Sequence, residues 1–437
     1  MGKMQYPNDF SRQHLVAQLA QQHAAASAPD LEQRQPPGII AGRLVSKGHS
    51  GDTSTAVLHD ASGRMTIVVS DQATGKAAHA AFAEWQLGDI LGVGGIVCRL
   101  PSGELALRAH ELRRLVRAAR PLPAAGASGE PGSARYVDLL TRERVRRMAK
   151  LRYRLSQGVR QFLGRRMYME VETPILQASP QVASQFSTHH HALNGTMYLR
   201  HSADLHLQKL LVGGVEQLFE ISRNFKNGEG ATPWEETAVE IYCAYTNDSY
   251  MMALLEALLT SMQLLSPPFA RMTLTDAIRK HAGTGVGDHE LRDPDLLAGL
   301  LRQHGIAFTQ TASWGAMQRK LLDAVVAPRL TDPIFISGFS ADAAAGARPR
   351  IADAQLAEYF EFFSSGTRVA QGRSLQNDPQ ACESALEAGL ERELRRALEY
   401  GLPPASCLRL SVDALVRVVS DASTLADTFL FRMRDET

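Results

Sequence analysis

The sequence predicts an α+β protein: a small antiparallel β-barrel, then a larger domain built on an antiparallel sheet. Three observations carry this. From Ile39 the hydrophobic pattern has period two, in the segments "IIAGRLVSKG", "STAVLHDASGRMTIVVS" and "GDILGVGGIVCRLPSGELALRAHELRRLV". The run "RPLPAAGASGEPGSA" then breaks all periodicity with Pro, Gly and Ser. Beyond it, apolar spacings of three and four alternate with strand-like runs.

Each element follows in order. Residues 1–37 read as an N-terminal helix, "DFSRQHLVAQLAQQHAA", and a linker, "SAPDLEQRQPPG". Residues 38–119 hold five short strands, with turns at Asp60-Ala61-Ser62-Gly63 and Pro101-Ser102-Gly103-Glu104. That pattern suits an OB-fold, an oligonucleotide/oligosaccharide-binding barrel. Residues 120–134 are a linker. Residues 135–437 form the second domain. Val145, Met148, Leu151, Leu155, Val159 and Phe162 mark its first helix. "YMEVETPIL", "MYLRHS", "QLFEISRNF", "TAVEIYCAYT", "PIFISGFS", "YFEFFSSGTRVAQG" and "SCLRLSVD" read as strands, with helices near 203–212, 250–265 and 380–399. Residues 268–333 are less regular and read as an insertion.

Composition narrows the function classes. Lys and Arg number 47 against 46 Asp and Glu, a net charge of +1, so global charge selects no polyanionic partner. The 4 cysteines (Cys98, Cys243, Cys382, Cys407) lie far apart. This argues against a zinc site or a disulfide framework and fits a reducing compartment. "MGKMQYPNDF" has no apolar signal core, and no long apolar run spans a membrane. The expected location is the cytoplasm. His189–His191 suggest a metal, but a packed loop is the simpler reading. The basic runs "RRLVRAAR" and "RERVRRMAK" read as solvated faces.

The fragments "LGDILGVGG", "RPLP", "MEVETPIL", "THHHALNGTMYLR", "LVGGVEQLFEISRNF" and "ALEYGLPP", in this order, resemble class II aminoacyl-tRNA synthetases, and most closely the lysyl-tRNA synthetase family, over nearly the whole chain. The resemblance implies an OB-fold anticodon-binding-like domain, a class II antiparallel-sheet domain, and a homodimer built through "EVETPIL". It also implies an activity: formation of an aminoacyl adenylate from Mg-ATP and lysine, then transfer to tRNA.

The residues at the family's contact points differ. Its Phe-Arg-Asn-Glu motif matches Phe225-Lys226-Asn227-Gly228, so Lys226 is a weak substitute for the catalytic arginine: it keeps the charge without the planar fork. The adenine-stacking aromatic matches Glu236. The glycines of the Gly-x-Gly-x-Gly-x-x-Arg motif match Cys407, Arg409 and Ser411, and its arginine matches Ala414. Arg409 and Ala414 thus disrupt the nucleotide site. Of two metal carboxylates, Glu361 remains and the other is Arg368. The family aromatic two positions before the ε-amine glutamate matches Arg373, and that glutamate matches Leu375. Asp204, Glu240 and Tyr242 retain part of the amino-acid pocket. In the barrel, only Arg43 matches an RNA-contacting residue; Thr55 and Thr66 replace the base readers.

These substitutions predict a paralogue that keeps the dimeric fold and has lost adenylation, a pseudoenzyme with a binding, regulatory or scaffold role. The reading expects no cofactor, counting against both Mg2+ and ATP. It expects weak or absent tRNA binding and no membrane partner. Arg368, Arg373 and Arg409 then share one cleft, either closed by Glu235, Glu236, Glu240 or Glu361, or taking a small anionic or amino-acid ligand. A remodelled amino-acid-activating or transferring enzyme of specialised metabolism, and a lysine–tRNA ligase, are the alternatives.

Overall fold

Alternating apolar side chains close the first strands into a barrel. β1 (Pro37–Ser50), β2 (Thr53–His59), β3 (Arg64–Ser70), β4 (Ile90–Arg99) and β5 (Leu105–Val116) pair in the closed order β1-β2-β3-β5-β4. Ala56 and Leu58 of β2, and Met65, Ile67 and Val69 of β3, point inward. Gly95 lies at a register shift between β4 and β5, where a Cβ would come within 2.1 Å of the Arg108 carbonyl oxygen. Only glycine permits that approach. A computed structural model describes residues 6–120, 122–123, 135–227, 234–381, 388–420 and 422–431, and the chain divides into residues 1–131 and 132–437.

The N-terminal segment departs from its sequence reading. The first helix is shorter, α1 (Val16–Gln22), and the expected linker holds a second helix, α2 (Ala28–Arg34). Ser27 accepts from the Asp30 backbone N–H, and Asp30 accepts from the Ser27 N–H, a capping box with Pro29 in the first turn. Leu31 is buried, which fixes the helix to the barrel core. Two further helices, α3 (Asp71–Thr74) and α4 (Lys76–Ala83), fall between β3 and β4, and Phe82 of α4 is fully buried.

The second unit begins with α5 (Arg135–Thr141) and α6 (Glu143–Gly164). Then come β6 (Met169–Glu170), β7 (Leu176–Gln177), β8 (Ser187–His190), β9 (Gly195–Leu199), α7 (Asp204–Val212), β10 (Gln217–Phe225), β11 (Glu235–Ala244) and α8 (Asp248–Ser261). "YMEVETPIL" therefore contributes two short strands rather than one. Next are β12 (Ala270–Thr273), α9 (Leu274–Ala282), α10 (Pro294–Gln303), α11 (Trp314–Leu321) and β13 (Ile334–Ser337). β14 (Tyr359–Ser364), β15 (Thr367–Ser374), α12 (Ala388–Leu398), β16 (Ala405–Ser411) and α13 (Val412–Ser420) complete it. Eight strands form one sheet, β12-β13-β14-β15-β16-β11-β10-β6, antiparallel except at its two edges; β7, β9 and β8 form a small second sheet. The region 268–333 is more regular than its sequence suggested. Thr273 caps α9, and Leu274, Ile278, Leu301 and Leu321 share a core with residues of β13 and β14.

Period two then divides the large sheet into unlike faces. Phe219, Val239, Ile241, Phe360, Phe362 and Leu408 face a core shared with α6, α8 and α13. Each such fully buried side chain contributes about 1.5–3 kcal/mol relative to exposure. On the other face, Glu220, Glu240, Arg409, Gln371 and Glu361 stand in register across five neighbouring strands. A row of four charged side chains and one amide at the centre of a well-packed sheet is the feature that positions the site.

Candidate functional site

β16 puts Arg409 between Glu240 of β11 and Gln371 of β15. Its Nη2 donates to Glu236 Oε2 at 3.0 Å, and its Nη1 lies 3.8 Å from Glu240 Oε1. Lys226 Nζ reaches the same Glu236 oxygen at 2.5 Å. Burial works to raise the Glu236 carboxyl, but Arg409 and Lys226 overcome it and hold its pKa down at about 2. Lys226 and Glu236 are thus joined to each other at the wall of the outer cavity. Glu240, 2% exposed, also accepts from Ser222 Oγ and Asn224 Nδ2 at 2.9 and 2.8 Å.

Glu361 is fully buried at the next acidic position. It accepts from Arg319 Nη1 and Nη2 at 2.7 and 2.6 Å, from Arg368 Nη1 at 2.8 Å and from the Tyr359 hydroxyl at 2.6 Å. A carboxylate has about four lone-pair sites, so these four donors saturate it. Burial alone would raise its pKa; the two guanidiniums bring it below the usual carboxylate range. A divalent cation does not fit here, because no lone pair remains and two positive charges already adjoin the carboxylate.

The third cluster lies on α7. Asp204 Oδ2 accepts from Arg373 Nη2 at 2.7 Å, and its other oxygen accepts from the Tyr242 hydroxyl. Burial opposes ionisation of Asp204, while Arg373 and Tyr242 favour it and leave its pKa lowered. The side chain of Leu375 is buried in a neighbouring apolar cluster.

Ala414 is buried in the first turn of α13, and its N–H donates to Ser411 Oγ at 3.2 Å. Beside it Asp413 accepts from Arg152 Nη1 at 2.5 Å and from the Thr237 N–H at 2.8 Å. This part of the cleft presents a methyl group and a carboxylate, a poor arrangement for a phosphate.

Two cavities flank Arg409. The outer, about 380 Å3, is lined by Lys226, Glu236, Arg368, Asp413, Ala414 and Phe429, among others. The inner, about 160 Å3, is lined by Asp204, Glu240, Tyr242, Arg373 and Cys407. Arg409, Gln371 and His201 border both. Burial, Arg409 and Lys226 all push the His201 imidazole down, favouring its neutral form. The Cys407 thiol is pushed up to about 12, chiefly by burial.

The structure therefore brings Asp204, Lys226, Glu240, Tyr242, Glu361, Arg368, Arg373 and Arg409 to one face of one sheet and pairs every arginine of the expected trio. Glu235 lines the outer cavity with Lys226, Arg368 and Arg409, and its carboxylate pairs with Arg223. Arg319, Arg152 and Tyr359 belong to the same constellation and were absent from the sequence reading. Arg319 sits 42 positions from its partner, inside the presumed insertion, where no local pattern marks it. The motif loop at 228–233 and Cys382 lie outside the described residues. Among the described residues, no group of three or more His, Cys, Asp or Glu side chains is arranged to hold a metal ion; His189 and His191 make a ring–ring contact instead. In the barrel, Arg43 Nη1 donates to the Gly88 carbonyl at 2.8 Å, and Thr66 Oγ1 donates to Glu104 at 2.8 Å. Thr55 is exposed on the outer surface.

Known proteins share both units. Residues 39–115 match the OB-fold nucleic acid binding domain, and residues 131–434 match the tRNA synthetases class II (D, K and N). The lysine–tRNA ligase of Nitrosomonas europaea is 34% identical across 98% of this chain and 92% of its own length. Those of Paraburkholderia phymatum and Burkholderia thailandensis are also 34% identical, over 98% of this chain and 91% and 92% of theirs. With the antiparallel sheet, the closed barrel and this end-to-end similarity together, the chain belongs to the class II tRNA synthetase family of the D, K and N type, and resembles its lysine–tRNA ligases.

Proposed function

We propose that this chain is a lysyl-tRNA synthetase-like paralogue that does not form lysyl adenylate and acts through binding, in a regulatory or scaffold role, as a cytoplasmic homodimer. The observation that carries this reading is Arg409. Held by Glu236 and Glu240, it borders both cavities, where adenylation needs an amino acid and a nucleotide in contact. Catalysis by such a site depends on charge stabilisation by several groups acting as a unit. Here Lys226, Glu361 and Asp204 are each engaged by a neighbouring charge. Glu361, saturated by four donors, does not fit Mg2+, and Ala414 brings no charge to the outer cavity, whose cations Lys226, Arg368 and Arg409 are paired with Glu236 and Glu361.

tRNA contact, on the same reading, is weak and carried by phosphate, because Arg43 is directed to Gly88 and Thr66 to Glu104. No helix among the described residues is long and apolar enough to cross a membrane.

A second reading, a lysine–tRNA ligase, is favoured by the 34% identity to proteins of that name over 98% of this chain. ATP–pyrophosphate exchange with each amino acid separates the two. No exchange supports the binding role. Lysine-dependent exchange establishes the ligase reading, and exchange with another amino acid points to a remodelled activating enzyme.

A further inference from the structure

We propose that the outer face of α6 binds the phosphate backbone of a nucleic-acid duplex without reading its sequence. The site lies on the side of the sheet away from the cleft, and the proposal stands whether or not the chain activates lysine.

The sequence of α6 carries seven Arg or Lys residues and one Glu. Packing sorts them. Met148, Leu155, Val159, Phe162 and Leu163 are buried in the core that α6 shares with α8 and α13. Arg146 pairs with Glu143, Arg152 with Asp413 and Arg160 with Glu170. Arg147, Lys150 and Arg154 are exposed and have no side-chain partner among the described residues; the same holds for Arg165, at the end of the helix.

Their spacing sets these four cations in one row. A helix turns once in 3.6 residues, so positions 147, 150, 154 and 165 fall within about 60° of one another. At 1.5 Å per residue the row is about 27 Å long. The acids near its two ends, Glu143 and Glu170, are already held by Arg146 and Arg160 and do not neutralise it.

Charge complementarity selects the occupant. A duplex carries about one phosphate charge per 1.7 Å of its axis, so a straight row of this length meets counter-charge along its whole extent. Contacts of this kind fix a duplex in place and carry no sequence information. A membrane surface fits less well: apart from Tyr153, 67% exposed beside the row, the large apolar side chains of α6 face the core and are not free to insert. An acidic protein fits less well because the row has no apolar pocket at its centre to anchor an interface. Since α6 packs on the core face of the sheet, a duplex held there lies behind the charged cleft and does not enter it.

Fluorescence anisotropy on the full chain, with a DNA duplex of about 20 base pairs and arbitrary sequence, tests the proposal. Binding is expected at about 50 mM salt, with log K falling against log salt at a slope of about −3.6, the value for four phosphate contacts. Arg147→Gln combined with Arg154→Gln should make that slope shallower by about 2 and weaken binding at about 50 mM salt at least ten-fold. Arg64→Gln, at an exposed arginine of the barrel, should leave the slope unchanged. Thermal melts establish that each variant is folded. No duplex binding at about 50 mM salt, an unchanged slope in the folded double variant, or an equal loss in Arg64→Gln would each overturn the proposal. So would attachment to phosphatidylserine vesicles without duplex binding, which makes the row a membrane contact. A change of oligomeric state in the double variant, read by light scattering, would make it a contact between subunits and overturn the proposal as well.

Discussion

Arg409 shows how one side chain changes the chemistry of a sheet face. Its strand neighbours Leu408 and Leu410 point into the core, so period two sends Arg409 to the opposite face, beside Glu240. There it needs a counter-charge, and Glu236 provides one. Glu236→Gln should destabilise the protein by about 1–3 kcal/mol at neutral pH, because Lys226 and Arg409 lose their shared acceptor. The pH dependence follows from the direction of the shift. The folded Glu236 carboxyl titrates at about 2 and its ordinary value is 4.5, so its contribution is complete above about 4.5 and disappears as pH falls toward 2. Thermal melts of wild type and Glu236→Gln should therefore differ most above pH 4.5 and converge below it; a gap independent of pH would exclude an ionised Glu236 as the cause. The sequence made Arg409 conspicuous as a charge in an apolar run. It did not reveal which acids would hold it. Asp204 and Arg373, for example, are 169 positions apart and meet only when α7 packs against the sheet.

At the scale of elements, α11 matters more than its place in an apparent insertion suggested. Arg319 projects from it to Glu361 in β14, tying residues 268–333 to the central sheet. Arg319→Ala should cost about 1–3 kcal/mol, less than removal of a sole partner because Arg368 still holds the carboxylate. Hydrogen exchange should show faster opening of α9–α11 than in wild type; uniform destabilisation of the whole sheet would show that Arg319 does not tie this region locally. The barrel strands were legible because alternation and Gly-containing turns are local signals. Helix α2 was equally local, since Ser27-Ala28-Pro29-Asp30 spells a capped start, yet the nearby Pro36-Pro37-Gly38 made the whole segment read as linker. The small strands β6 and β7 were indistinct for a different reason: their pairing partners are distant in sequence. For the barrel surface, RNA binding is expected to weaken steeply with salt and to be indifferent to anticodon sequence. Filter binding of tRNAs differing only in the anticodon checks this; a tight complex lost on changing the anticodon contradicts it.

At the scale of the whole molecule, the stretch around β6 and β7 exposes Met167, Met169, Ile175 and Leu176. Four large apolar side chains in one short stretch suit an interface between two copies. Light scattering at micromolar concentration should give twice the 47.7 kDa chain mass, and a monomer would remove the dimer from the account. The central claim, the proposal that this chain does not activate lysine, concerns chemistry: Arg409 borders both cavities, and Asp204, Glu236 and Glu361 have cationic partners. ATP–pyrophosphate exchange with lysine, run on wild type and on Glu240→Ala, tests this most directly. The account predicts no lysine-dependent exchange above background in either protein. Exchange in the wild type that disappears in Glu240→Ala would contradict it, by showing that lysine and ATP meet in this cleft and react.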